Sequence, residues 1–230
     1  MNIIIPKINF PIYGIFILLS IISAMIFNYI FLKKQNIEKR IILLSFILIF
    51  TFTLTGGLIF TMITHHSTKV IGLSSYGGAI GLIISVLIFS KIYNEKQNEF
   101  YTSYILNLPL MYSISKLGCF FAGCCYGIPY NGIFNITYVN REIYNVFPIQ
   151  LLETISFMII FIICITINKK EKTYIKEITI LLSAITKFSL DFLRNSHINK
   201  IISLNQFISL LFIIISIAII IKKVQAKKHL

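Results

Sequence analysis

The stretch "SKLGCFFAGCCYG", Ser115 to Gly127, sets a lysine, three thiols and three glycines side by side. A thiol beside the Lys116 ammonium has a lowered pKa and can act as a nucleophile. Cys119 can instead pair with Cys124 or Cys125 as a disulfide, whereas the adjacent Cys124 and Cys125 are geometrically poor partners. In a third reading the small, soft side chains fill a tight turn. A zinc site needs four ligands at recognisable spacing. This stretch has no nearby histidine and no paired C-x-x-C, so no metal and no cofactor are expected. Gly118, Gly123 and Gly127 let the backbone approach a ligand closely. A run of amide donors there, beside Lys116 and close to Cys125 and Tyr126, suits a lipid phosphate.

A second constellation lies downstream. Lys187, Asp191 and Arg194 are spaced i, i+4, i+7, which puts them on one helical face. Glu153 stands alone in an apolar run. A charge at the centre of a spanning helix costs about 2.5–3.5 kcal/mol on insertion scales. Taken singly, Lys116, Lys187 and Arg194 can snorkel to an interface, and Lys187 with Asp191 can be a structural pair. Five charges converging at one depth point instead to a polar chamber. Gly77 and Gly81 form a G-x-x-x-G suited to helix packing. Cys164 reads as inert packing, His65 and His66 as interfacial, and His229 as a tail residue, while His197 lies just beyond Arg194.

The elements that position these groups are membrane helices. The 230 residues are 57% hydrophobic and only 13% charged, against about 45–50% and 25% in soluble domains. The net charge of +13 falls in short clusters between apolar runs. That pattern belongs to membrane-flanking lysines and excludes a nucleic-acid partner. Seven stretches are long enough to span, roughly 10–32, 41–63, 70–90, 100–120, 147–168, 175–193 and 203–221. The fourth and sixth are the weakest, because they carry Asn107, Pro109, Lys116, Lys187 and Asp191. The start of the chain shows no cleavage site, so the first span is expected to stay in the membrane.

Basic residues then orient the chain. One side collects Lys33, Lys34, Lys39, Arg40, Lys91, Lys96, Lys169, Lys170, Lys172, Lys176, Lys222, Lys223, Lys227 and Lys228. The other collects Lys7, Lys69, Arg141, Arg194 and Lys200. The expected fold is an all-α, polytopic domain over residues 1–230. Its N-terminus is outside, its C-terminus is cytoplasmic, and a short outer segment covers about 128–147.

Five fragments in order resemble the bacterial prolipoprotein diacylglyceryl transferases. "SSYGGAIG" resembles S-F-H-G-G-L-I-G, and "SKLGCFFAGCCYGIP" resembles G-R-x-G-N-F-x-N-G-E-x-x-G-x-P. "FPIQLLE", "KFSLDFLRN" and "SLNQFISL" resemble H-P-[TS]-Q-L-Y-E, R-x-x-[VI]-E-F-x-R and S-x-x-Q-x-x-S-L. The resemblance implies transfer of the diacylglyceryl group of phosphatidylglycerol, or a related membrane phospholipid, to a prolipoprotein cysteine or other acceptor thiol. The reaction would take place on the outer side of a bacterial cytoplasmic membrane. Tyr76, Lys116, Cys119, Cys124, Glu153 and Arg194 fall at its catalytic positions. Gly77, Gly78, Gly118, Gly123, Gly127, Gln150, Asp191 and Gln206 fall at its lipid- and phosphate-binding positions, and Cys125, Tyr126 and Lys187 are expected to line the same site. Several identities differ. Tyr76 and Phe147 stand at histidine positions, Lys116 at an arginine, Cys119 and Ala122 at asparagines, and Cys124 at a glutamate. Two other classes fit these departures, a non-catalytic lipid-binding or accessory protein and an outward-facing thiol redox protein.

Overall fold

A computed structural model describes residues 2–6, 11–65, 74–170 and 173–228. Lys7, His66, Lys69, Lys172 and His229 lie outside the described residues. Seven α-helices run among those described: α1 Ile12–Lys33, α2 Lys39–His65, α3 Ser75–Ile92, α4 Gln97–Ala122, α5 Ile149–Lys170, α6 Ile175–Asp191 and α7 Leu204–Lys228. Each sits within a few residues of one apolar stretch, because a helix satisfies every backbone group of such a segment internally. The helices α1, α2, α4, α5 and α7 are long and apolar enough to cross a membrane. The apolar α3 is shorter, and α6 has 17 residues.

The chain also forms a small sheet that the helical reading did not anticipate. Strands β1 Asn2–Ile5, β2 Asn135–Tyr138 and β3 Ile143–Val146 line up in the order β1-β2-β3. β1 pairs in parallel with β2, from Asn2 opposite Asn135 to Ile5 opposite Tyr138. β2 pairs antiparallel with β3, with a register shift between Ile136 and Tyr138. Four-residue strands are too short to show a period-2 pattern, and the parallel pair joins segments far apart in sequence. Ile5, Ile136, Tyr138 and Val146 pack with Phe120 of α4 into one apolar cluster.

The described chain divides into two compact units, Met1–Ile22 with Pro109–Leu230, and Ser23–Leu108. In the second unit, α2 and α3 approach at backbone distance. A Cβ added at Gly56 would stand 2.6 Å from the Gly77 carbonyl oxygen, and one added at Gly77 would collide with the Gly56 backbone and Phe60 Cβ. Polar side chains in this unit find partners inside it. Ser45 Oγ and Tyr104 OH are 2.7 Å apart, Ser103 Oγ donates to Asn28 Oδ1 at 2.8 Å, and Asn107 Nδ2 donates to the Ala24 carbonyl at 2.9 Å. Hydrocarbon offers such groups no alternative.

In the first unit, α6 turns its polar residues inward. Glu177, Lys187 and Asp191 are all buried, as expected where lipid is the outer solvent. At the start of α7, Gln206 N–H donates to Ser203 Oγ at 3.1 Å and Ser203 N–H donates to Gln206 Oε1 at 2.9 Å. This reciprocal pair is a capping box. Ser203 Oγ also donates to Asp191 Oδ2, and Asn205 Nδ2 to Asp191 Oδ1 at 3.4 Å, which ties the end of α6 to the start of α7.

The α2–α3 seam predicts an asymmetric response to one added methyl group. Gly77→Ala is expected to destabilise the chain by about 1–3 kcal/mol. Gly78→Ala meets only ordinary contact with Thr53 Cγ2 at 3.6 Å and is expected to be neutral or slightly stabilising. Unfolding of the detergent-solubilised variants measures the difference.

Candidate active site

Glu153 lies in the first turns of α5, just after Pro148, and its carboxylate is fully buried. The exposed amides at a helix N-terminus favour a negative charge there. Four side chains from three other segments converge on it. Tyr112 OH of α4 donates to Oε1 at 2.8 Å. Lys187 Nζ of α6 lies 2.8 Å from Oε1, and Lys116 Nζ of α4 lies 3.1 Å from Oε2. Arg194 Nη2, just past α6, lies 3.0 Å from both carboxylate oxygens.

Tyr112 forms the floor of this cluster. Lys116 Nζ stands 5.0 Å and Lys187 Nζ 4.7 Å from its ring centroid, within cation–π range. Lys187 Nζ also contacts the Tyr112 hydroxyl. Sequence reasoning missed Tyr112, although it sits i, i+4 from Lys116 and so shares its helical face. Ser113 and Thr154 lock α4 to α5 beside it. Ser113 Oγ donates to the Thr154 carbonyl at 2.9 Å, and Thr154 Oγ1 to the Ser113 carbonyl at 3.3 Å.

Three basic groups thus share one carboxylate. Asp191 Oδ1 stays 3.9 Å from Arg194 Nε, and that buried Nε–H has no hydrogen-bond partner. Burial opposes the Arg194 charge, but the Glu153 carboxylate outweighs it and holds its pKa well above the ordinary value. An arginine fork with a free, buried donor suits a planar or tetrahedral oxyanion.

The cysteine loop adjoins this cluster through the same helix turn. Helix α4 ends at Ala122, and Gly123 follows at φ 65°. Gly123 N–H donates to the Phe120 carbonyl at 3.3 Å and Cys124 N–H to the Cys119 carbonyl at 3.1 Å. These two bonds make a Schellman cap, which needs a residue in the left-handed region. Arg141 Nε donates to the Ala122 carbonyl at 3.0 Å and adds a cation at the negative helix end. Gln150, one turn before Glu153, donates through Nε2 to the Cys124 carbonyl at 2.8 Å and to Tyr138 OH at 3.2 Å. Its buried Oε1 has no partner. Burial raises the pKa of the Tyr138 hydroxyl.

Beyond the thiols the chain crosses the segment that carries Arg194. Gly127 and Arg194 form an antiparallel bridge, Asn195 N–H donates to the Tyr126 carbonyl at 3.2 Å, and Ile128 N–H to the Leu193 carbonyl at 3.0 Å. A Cβ on Gly127 would stand 2.5 Å from the Phe147 carbonyl oxygen. The Cys119, Cys124 and Cys125 thiols are free of disulfides. Hydrogen bonds from Cys119 and Cys124, then the Lys116 and Arg194 charges, lower the pKa of Cys125.

The structure therefore brings together Lys116, Glu153, Lys187 and Arg194, with Asp191 at the edge. Gln150, Gly123, Cys124, Cys125, Tyr126 and Gly127 form the adjoining loop. Gly118 packs the end of α4 closely against Phe16. Gln206 serves the α7 capping box. Tyr76, Gly77 and Gly78 belong to the unit Ser23–Leu108, where Tyr76 is buried near the start of α3.

Long apolar helices around a buried carboxylate shared by three cations define a polytopic membrane protein with an interior polar site. The chain belongs to the prolipoprotein diacylglyceryl transferase family, whose model matches residues 1–222. A phosphatidylglycerol–prolipoprotein diacylglyceryl transferase of Clostridium tetani (strain Massachusetts / E88) is 28% identical over 154 residues. The match covers 64% of this chain and 62% of that relative's length.

Removing the shared anion leaves three basic groups buried around a neutral amide. Glu153→Gln is expected to cost about 3–5 kcal/mol of stability. The readout is the unfolding midpoint in detergent, and an unchanged midpoint would show that the cluster does not hold the unit together.

Proposed function

We propose that the chain transfers the diacylglyceryl group of phosphatidylglycerol to an acceptor thiol such as a prolipoprotein cysteine, releasing glycerol phosphate. The carrying observation is the convergence of Lys116, Lys187 and Arg194 on Glu153, with a buried Arg194 Nε–H unpaired beside them. Glu153 holds the three cations in place, and the lipid phosphate docks against Arg194 and Lys116. As the bond between glycerol carbon and phosphate oxygen breaks, charge builds on the phosphate oxygens. Fixed cations in a dry site stabilise that charge most strongly. Family membership and the Clostridium tetani relative support the same chemistry.

The proposed setting is a bacterial cytoplasmic membrane crossed seven times, with the site on the outer side. The β1–β2 pair supports this count. It brings the N-terminal strand beside residues 135–138, so the helices between them, α1 to α4, make an even number of crossings. The apolar α3 then crosses with α1, α2 and α4. The excess of lysine on the opposite side supports an outer location for the segment 128–147.

The identity of Tyr76 favours a second reading, an accessory lipid-binding protein, because a tyrosine is a poor base near neutral pH. One assay separates the two. The full chain in phosphatidylglycerol micelles is mixed with a lipobox peptide, and thioether product and released glycerol phosphate are measured. Both are expected, and Arg194→Lys is expected to lower kcat/KM by about tenfold to a hundredfold through loss of the charge-assisted fork. Lipid binding without either product would establish the accessory reading.

A further inference from the structure

The Sγ atoms of Cys119, Cys124 and Cys125 all lie within 4.8 Å of one another. Linear spacing does not reveal this convergence, because the Schellman cap folds Cys124 back over the last turn of α4. Cys125 completes it at φ 56°. A non-glycine residue in the left-handed region is strained and persists only where the surroundings dictate it. Gln150 supplies that constraint from α5 by holding the Cys124 carbonyl. Packing alone accounts poorly for the group, since Cys125 is exposed.

We propose that Cys119, Cys124 and Cys125 bind one thiophilic divalent ion of the zinc class as a three-thiolate site, with the fourth position open to the thiolate of the acceptor. The identity of that fourth ligand rests on the transfer reaction proposed above; the three-thiolate site does not.

Three observations agree on the ion and its open face. Thiolates sharing one tetrahedral ion at about 2.3 Å stand roughly 3.8 Å apart, so the three sulfurs need to close only slightly. Soft sulfur ligands select zinc over magnesium or calcium. Three protein ligands with an open fourth position are the pattern of reactive rather than structural zinc sites. The exposed edge at Cys125 leaves an approach for that ligand. Three thiolates and a divalent ion carry one net negative charge, and Lys116 and Arg194 lie within electrostatic reach.

The ion supplies what Tyr76 does not. On binding, the acceptor thiol releases its proton to solvent and remains a thiolate at neutral pH. Its sulfur attacks the glycerol carbon that bears the phosphate. A carbon–sulfur bond forms, the carbon–oxygen bond breaks, and its electron pair leaves on the glycerol phosphate. The ion is neither oxidised nor reduced, and no further reactant is needed.

Cobalt(II) added to the reduced, metal-free full chain in detergent tests the site. One equivalent is expected to give a sulfur-to-cobalt charge-transfer band that zinc abolishes. Cys119→Ser, Cys124→Ser and Cys125→Ser are each expected to weaken binding by more than the roughly 10–100-fold seen for an outer-shell change. Cys164→Ser serves as the control and is expected to bind as the parent does, with helicity by circular dichroism confirming that every variant folds. A cysteine lipobox peptide is expected to shift the band, and its serine counterpart is not. Absence of the band, or its survival in the triple serine variant, overturns the metal site. A band unmoved by the cysteine peptide overturns the fourth-ligand assignment. Transfer without a cobalt band sinks the metal site and leaves the proposed function standing. A cobalt band without transfer does the reverse.

Discussion

One carboxylate organises this molecule. Glu153 sits where water cannot reach, and a lone ion there would cost several kcal/mol. Its two oxygens are therefore obliged to gather partners, and those partners come from α4, α6 and the segment after α6. Because the attraction falls off with distance and the surroundings screen little, the ammonium groups and the guanidinium cannot drift without stranding the charge. The tyrosine beneath them, Tyr112, completes the shell with a hydroxyl and a ring face. The apolar packing around the cluster could tolerate many exchanges of one aliphatic residue for another. The ion cluster is far less forgiving, and it sets how the helix ends must meet.

The thiols and the charges are two ends of one support. Gln150 and Glu153 occupy consecutive turns at the start of α5, the first holding the cysteine loop and the second the cations. Gly127 closes the circuit by pairing its backbone with Arg194. A movement of α5 along its axis would therefore shift both constellations together. That linkage fixes the spacing between the sulfurs and the cations.

The helices were legible because hydrocarbon leaves a spanning segment few choices, and apolar runs near Ile12, Lys39, Ile149 and Leu204 announced them. The charged residues were legible for the converse reason: Glu153 and Lys187 are too costly in such runs to be accidental. Tyr112 was not, since a tyrosine in an apolar helix is ordinary until its hydroxyl is seen 2.8 Å from a buried carboxylate. Gln206 carries a structural task that its place in an ordered motif did not announce: its side-chain oxygen accepts from the Ser203 N–H at the start of α7. The sheet escaped notice because its strands are four residues long and its parallel partners lie at opposite ends of the first four helices. The clustering of three sulfurs depended on two left-handed residues, Gly123 and Cys125, of which only the glycine signals itself in the sequence.

The parallel pairing of β1 with β2 also bears on how the protein is made. Asn2 leaves the ribosome long before Asn135, its partner in the register. At about 5–20 residues per second, the first strand waits on the order of ten seconds with its edge uncovered. Helices α1 to α4 are made during that interval, and three of them are long and apolar enough to cross a membrane. The sheet is thus a late product of biosynthesis, closed only when a segment made well before β2 is brought back beside it.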